Sequence, residues 1–149
     1  MERTLIIFKP DCMHRMLVGT ILSRFEAKGL RPVAMKLQQS PKEQVEKHYE
    51  VHKERPFYGE LCNFMTSAPV IVAILEGPNA ISVVRNLLGA TNGAEAAPGT
   101  IRGDFGLDKQ FNLVHASDGE DTAKAEIALF FKPEEIVSWK RAGDTWICS

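Results

Sequence analysis

One of the four histidines has neighbours that suit a nucleophile. His115 follows the apolar pair Leu113–Val114, typical of a strand end, and precedes Ser117–Asp118, typical of a helix start. A strand end is rigid and opens onto the surface, and an imidazole that is largely neutral near pH 7 can attack through one ring nitrogen. This context predicts either a nucleophile or a structural histidine at position 115. The ordinary interpretation of the other three histidines is a partly exposed surface residue: His14, His48 and His52.

Basic and hydroxyl side chains precede this histidine in the chain. Arg85 lies on a predicted helix, and Thr91, Thr100 and Arg102 lie in the long segment that follows it. Two guanidinium groups beside hydroxyls can hold a polyphosphate through forked, charge-assisted hydrogen bonds, although each arginine alone is more typical of a solvated surface. The P-loop and the dinucleotide-binding glycine motif are both absent from the sequence.

The hydrophobic pattern indicates which elements position these residues. Unbroken apolar runs at 5–8 and 70–75 predict strands covered on both faces, and alternation over 31–38 predicts a strand with one wet face. A further short strand is predicted around Leu113. Helical spacing predicts helices at 17–28, after Ser40, at 79–88 and after Ser117 to about 131, with Ser40, Asn79 and Ser117 as caps.

The predicted order of elements is βαββαβ with a helical insertion. This order predicts the α+β class and a ferredoxin-like sandwich, in which helices cover a four-stranded antiparallel sheet. We expect the helices on one face, because their apolar sides then share a common surface. Residues 91–111 are predicted to form a long irregular loop, which in compact proteins is usually functional or disordered.

Composition narrows the function further. The chain has 149 residues, of which 44% are apolar and 25% charged, and a formal net charge of −1. We expect residues 1–149 to form one globular domain with small partners, since the near-zero charge gives no general attraction to nucleic acid. The three separated cysteines indicate neither disulfides nor zinc, and no signal peptide or membrane span is evident, which predicts a cytoplasmic protein.

Residues 112–119, Asn-Leu-Val-His-Ala-Ser-Asp-Gly, closely resemble the active-site signature of nucleoside diphosphate kinases. Other blocks resemble this family in the family's order, from about residue 3 to Trp146: Thr4 with Lys9–Asp11, His48–Tyr49 with Arg55–Phe57, Gly89–Asn92 and Pro98–Phe105. The resemblance implies an enzyme that transfers the γ-phosphate of a nucleoside triphosphate, mainly ATP, to nucleoside diphosphates. In this family the transfer is ping-pong, with two half-reactions through a phosphohistidine at one site.

The resemblance also implies roles for individual residues in the chemical step. His115 matches the nucleophile, Glu126 matches the carboxylate that orients it, and Ser117 matches the hydroxyl that supports this carboxylate. Lys9 and Tyr49 match further residues of the catalytic site. A carboxylate in this position would also stabilise the positive charge that builds on the ring during attack.

The nucleotide-binding residues are implied in the same way. Lys9 and Asn112 match residues that bind the sugar hydroxyls and the phosphate end, and Phe57 matches the aromatic ring on which the base stacks. The alternative for Phe57 is a core residue at a helix start. The phosphate clamp is matched by Arg85, Thr91 and Arg102, with Tyr49 and His52 nearby. Mg²⁺ is expected to arrive with the nucleotide rather than in a protein-held metal site, and Asp118 is expected to cap a helix.

Three departures from the family pattern accompany the resemblance. Cys12 stands where glycine is usual, Gly93 stands where proline is common, and 109–111 replace an apolar residue, glycine and arginine. Gly93 is expected to loosen the long loop, because glycine restores the backbone freedom that proline removes. The tail through Trp146 resembles that of hexameric members, so a homohexamer is expected, with a tetramer as the second choice. The alternative function is a catalytically lapsed relative that binds partners or single-stranded nucleic acid.

Overall fold

Four strands form one antiparallel sheet in the computed structural model, which describes residues 1–149. The strands are β1 (Glu2–Phe8), β2 (Arg31–Gln38), β3 (Val70–Gly77) and β4 (Val114–Ala116). Their order across the sheet is β2-β3-β1-β4, and every neighbouring pair is antiparallel. The predicted four-stranded antiparallel sheet is confirmed, with the two unbroken apolar runs in its two central strands.

Seven α-helices surround the sheet. They are α1 (Pro10–His14), α2 (Val18–Lys28), α3 (Lys42–His48), α4 (Tyr58–Thr66), α5 (Ala80–Leu88), α6 (Ile101–Phe105) and α7 (Glu120–Phe130). Single 3₁₀ turns occur at Glu50–His52, Pro133–Glu135 and Asp144–Trp146. Not one of these helices combines the length and the apolar character needed to span a membrane.

The helices pack on both faces of the sheet, and the expectation of a single covered face is wrong. Ile6 and Phe8 of β1 face a core shared with α2 and α5, whereas Leu5 and Ile7 face a core shared with α3, α4 and α7. All four side chains are fully buried. Successive residues of a strand point to opposite faces, so an unbroken apolar run requires cover on both. The insertion between β2 and β3 supplies part of the second layer.

Two helix starts differ from the predicted caps. The side chain of Ser40 does not cap α3, which begins after Pro41. Asn79 precedes α5 in the left-handed conformation (φ 53°) and its side chain makes no capping bond. The carboxylate of Glu2 instead accepts the backbone N–H of Ile81 at 2.8 Å. A distant acidic side chain therefore satisfies the N-terminus that the local sequence was expected to cap.

The loop before β4 is more ordered than its composition indicated. It contains α6, whose N-terminus is capped by Thr100, where Oγ1 accepts the Gly103 N–H at 3.0 Å. Gly93 donates its N–H to the carbonyl of Asp108 at 3.1 Å and packs directly against the backbone of Gly106. The expected loosening at Gly93 is therefore not what the structure has: this glycine ties the two ends of the loop together.

An ion-pair network fastens the C-terminal segment to the sheet. Arg31 of β2, with a side chain only 6% exposed, contacts Glu76 of β3 and binds Asp144 at 2.7 Å. Glu76 also binds Arg3 of β1 at 2.7 Å, and Asp144 binds Arg141 at 2.7 Å. Burial raises the pKa of Glu76, but the bonds from the two arginines outweigh it and hold this pKa below its usual value. Two strands and the tail thus share one charged network.

Candidate active site

The short strand β4 carries His115 and has a strained start. Residue 115 pairs with Ile7 of β1, between the buried side chains of Val114 and Ala116. Leu113 adopts a positive φ of 77°, which is unfavourable for a bulky residue. Its N–H donates to Asp11 Oδ2 at 3.0 Å and its carbonyl accepts the Lys9 N–H at 2.9 Å. These contacts hold the chain where β4 begins and so fix the position of the imidazole.

His115 is bound to Glu126, which in turn is bound to Ser117. His115 Nε2 lies 2.8 Å from Glu126 Oε2, and Ser117 Oγ donates to Glu126 Oε1 at 2.6 Å. Burial raises the pKa of Glu126, but the hydrogen bonds from His115 and Ser117 outweigh burial and hold that pKa below its usual value. An ionised carboxylate only accepts, so Nε2 carries the proton and Nδ1 keeps a lone pair.

This arrangement explains why the predicted cap of α7 does not form. The hydroxyl of Ser117 is committed to Glu126, and Gly119 occupies the N-cap position with no side-chain capping bond. The expectation that Ser117 or Asp118 caps the helix is therefore wrong. Asp118 is exposed instead and lines the cleft beside His115.

His48 belongs to the same cluster and was not predicted. Its side chain is only 3% exposed, its Nδ1 lies 3.5 Å from Glu126 Oε2, and its ring lies perpendicular to that of His115 with centroids 4.7 Å apart. Burial and the adjacent His115 lower the pKa of His48 to about 4, so the ring is neutral near pH 7. Val45, three residues earlier on α3, is buried, and this helical spacing was the available signal that His48 faces inward.

The two predicted arginines lie beside β4. Arg85 is exposed and donates to the carbonyl of Ala116 at 3.3 Å. Arg102 is buried and donates to the carbonyls of Val114 at 2.6 Å, Asn112 at 3.3 Å and Gly89 at 3.3 Å. Burial, with the charge of Arg85 as a second cause, lowers the pKa of Arg102 to about 10, so the group stays charged near neutrality. Arg102 therefore braces the strand that carries the histidine and still has unused N–H donors.

Lys9, Asn112 and Thr91 form a chain of hydrogen bonds at the start of β4. Lys9 Nζ donates to Asn112 Oδ1 at 2.8 Å and to the carbonyl of Gln110 at 2.6 Å, and Asn112 Nδ2 donates to the carbonyl of Thr91 at 2.9 Å. Burial lowers the pKa of Lys9 to about 8, against the opposing charge of Asp11. The ammonium is therefore near its titration range and is held in place before any ligand binds.

A cleft of about 770 Å³ opens beside His115. Its lining includes Asp118 and the side chains of His48, Tyr49, His52, Arg85, His115 and Glu126. Phe57, 43% exposed, lies at its edge with its ring 5.5 Å from that of His52, which is not the placement of a core residue. Besides Phe57, five predicted residues stand outside the lining. Lys9, Thr91, Arg102 and Asn112 lie around the start of β4 through the hydrogen bonds described, and Ser117 directly follows β4 and binds Glu126.

A larger cavity of about 910 Å³ lies elsewhere, between the start of β1 and α7. Its lining includes Arg3, Glu76 and Lys124 but none of the predicted site residues. Size alone therefore does not select the candidate site, and the bonded histidine and carboxylate make the smaller cleft the candidate.

The donor set at the reactive site does not suit a resident magnesium ion. The one group of potential metal ligands consists of His48, His115 and Glu126, whose ligand atoms lie within 4.8 Å of one another. Magnesium requires oxygen ligands in octahedral geometry, and two imidazoles do not supply them. No catalytic step is therefore assigned to a protein-held magnesium.

Comparison with known proteins decides the family. A family model described as nucleoside diphosphate kinase matches residues 2–136. The chain belongs to the nucleoside diphosphate kinase family. It is 54% identical to the nucleoside diphosphate kinase of Archaeoglobus fulgidus over 147 residues, which cover 99% of this chain and 97% of that one. It is 55% identical to that of Rhodopirellula baltica over 139 residues, 93% of this chain and 91% of the relative.

Solved structures of nucleoside diphosphate kinases share the fold. A family protein from Babesia bovis superposes with a TM-score of 0.96 at 49% identity, covering 99% of this chain and 100% of the other. A halophilic nucleoside diphosphate kinase from Halobacterium salinarum, solved in complex with CDP, gives a TM-score of 0.97 at 45% identity, covering 99% of both chains.

These matches confirm the resemblance and the fold class predicted from the sequence. They also support an enzyme of nucleoside diphosphate kinase activity, and they do not support the alternative of a lapsed binding module. The family uses a divalent metal and binds nucleotides.

Proposed function

We propose that His115 carries the phosphoryl group between a nucleoside triphosphate, mainly ATP, and a nucleoside diphosphate in a ping-pong reaction. One observation carries this proposal: Nε2 of the ring is bound to an ionised Glu126 at 2.8 Å, which leaves Nδ1 as the nitrogen with a free lone pair. The ring also borders a cleft that contains the cationic Arg85. A nucleophile, its orienting base and an electrostatic clamp are the parts that phosphoryl transfer requires.

Phosphoryl transfer occurs as two successive displacements. Nδ1 of His115 forms a bond to the γ-phosphorus while the bond from that phosphorus to the bridging oxygen breaks, and the electron pair leaves with the nucleoside diphosphate. Positive charge builds on the ring and is stabilised by Glu126, whose second oxygen is held by Ser117. A second nucleoside diphosphate then binds in the same cleft and takes the phosphoryl group by the reverse displacement.

We assign the surrounding residues to binding the nucleotide. Arg85, Arg102 and Thr91 hold the phosphates, whose charge is spread over three oxygens in the transition state. Lys9 and Asn112 bind the sugar hydroxyls and the phosphate end, supported by the bond between them. Phe57 stacks on the base, which its exposure at the edge of the cleft allows. Tyr49 and His52, which line the cleft, complete the site.

Magnesium enters this proposal as part of the substrate. The phosphates of the nucleotide supply the oxygen ligands that the cluster around His115 does not, so the ion is bound by the nucleotide and leaves with it. Asp118 and Asp121 line the cleft but are not required as ligands.

We further propose that residues 1–149 act as one domain within a cytoplasmic homohexamer, with a tetramer as the second choice. The edge strand β2 exposes Met35 and Leu37, and Trp146 is almost fully exposed, which favours cover by other subunits. The near-zero net charge favours free nucleotides over nucleic acid as partners. Light scattering on a size-exclusion column separates the two assemblies, since a hexamer has a mass of roughly 100 kDa.

Replacing His115 tests the proposed nucleophile. Wild-type enzyme incubated with γ-³²P-labelled ATP and magnesium is expected to carry acid-labile, base-stable phosphate, and His115→Asn is expected to carry none and to lose nucleotide exchange. His14→Asn, which changes an exposed histidine, is the matched control and retains both. Ordinary turnover in His115→Asn would overturn the assignment.

A further inference from the structure

His48 is buried beside the nucleophile with both ring nitrogens unbonded. Neither Nδ1 nor Nε2 has a hydrogen-bond partner, although the side chain is only 3% exposed. The ring packs against Tyr49 and Phe130, with centroids 4.6 and 5.4 Å away. A buried polar group without a partner is unfavourable, so a ligand that accepts its lone pair would be stabilised there. Nδ1 faces Glu126 Oε2 at 3.5 Å.

The three neighbouring donors have the chemistry of a transition-metal site. His48, His115 and Glu126 present two imidazole nitrogens and a carboxylate oxygen, all within 4.8 Å of one another. Zinc sites with two histidines and one glutamate use this donor set, with water in the remaining position. Ligand atoms about 2.1 Å from a tetrahedral ion lie roughly 3.4 Å apart. The 3.5 Å pair fits this distance, and the 2.8 Å pair would open by about 0.6 Å. The two imidazole nitrogens lie within 4.8 Å of each other and would close by up to about 1.4 Å.

We propose that the cluster formed by His48, His115 and Glu126 binds Zn²⁺ or a similar nitrogen-preferring divalent ion in the enzyme without bound nucleotide. The ion would replace the hydrogen bond between His115 and Glu126 and satisfy a nitrogen of His48. The cleft that borders all three residues supplies the route from solvent and the space for a water ligand. Magnesium does not compete, because the site offers only one oxygen ligand.

Metal binding and phosphorylation exclude each other at this histidine. A neutral imidazole that coordinates the ion through Nε2 carries its single proton on Nδ1, so the proton moves between the nitrogens with no net release and the attacking lone pair is removed. Conversely, a ring phosphorylated on Nδ1 keeps its proton on Nε2 and has no lone pair for the ion. This exclusion rests on the proposed role of His115, whereas the binding itself does not.

Binding of Co²⁺, a spectroscopic substitute for Zn²⁺, tests the site without measuring activity. Wild-type protein is expected to show the visible absorbance of tetrahedral Co²⁺ at one ion per chain, displaced by Zn²⁺ but not by excess Mg²⁺. His48→Asn and His115→Asn are each expected to weaken binding at least about tenfold, since each removes one of three ligands. Circular dichroism checks that each variant is folded. Because two ligand variants are used, the test can still be made if one of them does not fold.

Matched controls remove other metal-binding side chains. His14→Asn and Cys148→Ser change an exposed imidazole and an exposed thiol and are expected to bind Co²⁺ as wild type does. No tetrahedral spectrum, or one lost in a control and kept in His48→Asn and His115→Asn, would overturn the site. Enzyme first phosphorylated with MgATP and freed of nucleotide is expected to bind no Co²⁺. Unchanged Co²⁺ binding by this phosphorylated form would contradict the mutual exclusion, and with it the role of His115 as nucleophile. The metal site itself would stand.

Discussion

Glu126 is held by two hydrogen bonds, one of them with His115, the proposed nucleophile. Glu126→Gln keeps the shape of the side chain but removes the negative charge that faces the ring. We expect the rate of phosphoenzyme formation to fall about 100-fold, because the ring no longer has an ionised partner as positive charge builds on it. Rapid-quench measurement with ATP gives this rate, and nucleotide affinity measured separately is expected to stay within about threefold. An unchanged rate would show that the carboxylate does not act on the ring.

The lowered pKa of Lys9 leads us to expect that activity falls at alkaline pH. Its pKa is lowered to about 8, so in the free enzyme the ammonium loses its charge above this pH and binds phosphate less well. We expect kcat/KM to fall as pH rises above about 8, and kcat to fall only at higher pH, because bound phosphate favours the charged form.

Lys9→Arg is the control for this limit. Arginine remains charged throughout this range, so the fall in kcat/KM near pH 8 is expected to disappear even if the absolute rate is lower. If wild type and Lys9→Arg show the same alkaline limb, another group is responsible for it.

At the scale of single residues, the sequence predicted contacts well and burial less well. The bonds joining His115, Glu126 and Ser117, and that joining Lys9 and Asn112, connect residues that the family resemblance had placed in one site. His48 was given the ordinary interpretation of a partly exposed surface histidine, whereas its side chain is only 3% exposed. Its burial follows from which side of α3 meets α7, and that is decided by packing between distant elements.

In the loop between α5 and β4, replacing Gly93 by proline is expected to destabilise the protein. A Cβ at this position would lie 2.5–2.8 Å from backbone atoms of Gly106, and proline would also remove the N–H that binds the Asp108 carbonyl. Gly93→Pro is therefore expected to lower the free energy of unfolding by about 2–4 kcal/mol, where proline in a loose loop would raise it. Thermal unfolding at a fixed protein concentration measures the change.

Gly19→Ala is the matched control for a glycine substitution. Gly19 lies within α2 with no atom near its added Cβ, so alanine is expected to stabilise the protein by about 0.5–1 kcal/mol. A gain in stability from Gly93→Pro would show that the loop can move away from Gly106.

At the scale of elements, unbroken apolar runs were a reliable guide and capping residues were not. The runs in β1 and β3 predict buried strands because no other element hides every side chain of so short a segment. Ser117 and Asn79 have the composition of caps, yet one is bound to Glu126 and the other is replaced by Glu2. A cap depends on competition from distant partners, which local sequence does not reveal.

At the scale of the whole molecule, the ion-pair network around Glu76 is expected to contribute to the free energy of unfolding. Glu76→Gln leaves Arg31, only 6% exposed, with Asp144 as its one remaining carboxylate partner, and is expected to cost about 1–3 kcal/mol. Glu50→Gln removes the exposed pair with Lys47, whose side chains are 59% and 62% exposed, and is expected to cost less than about 0.5 kcal/mol. Thermal unfolding at equal concentration compares them, and equal effects would contradict a buried network.

Acid is expected to weaken the same network in the wild type. The pKa of Glu76 is lowered on folding, so its contribution is complete above its usual value of 4.5 and is lost as pH falls through the lower folded value. This part of the molecule could not be predicted from the sequence. Side chains that bind each other directly in this network are up to 113 positions apart, and no local pattern brings Arg31 to Asp144.

Both nucleotides use the cleft at His115 in the proposed reaction, so the rate depends on the ratio of donor to acceptor rather than on the concentration of either one. In the proposed reaction, donor and acceptor use the same 770 Å³ cleft in turn, so an acceptor that binds before His115 is phosphorylated occupies the place where the donor must bind. Such a complex contains no phosphoryl group to transfer. Velocity should therefore climb, peak and decline as acceptor accumulates at constant donor, so that throughput follows the balance of the two nucleotide pools.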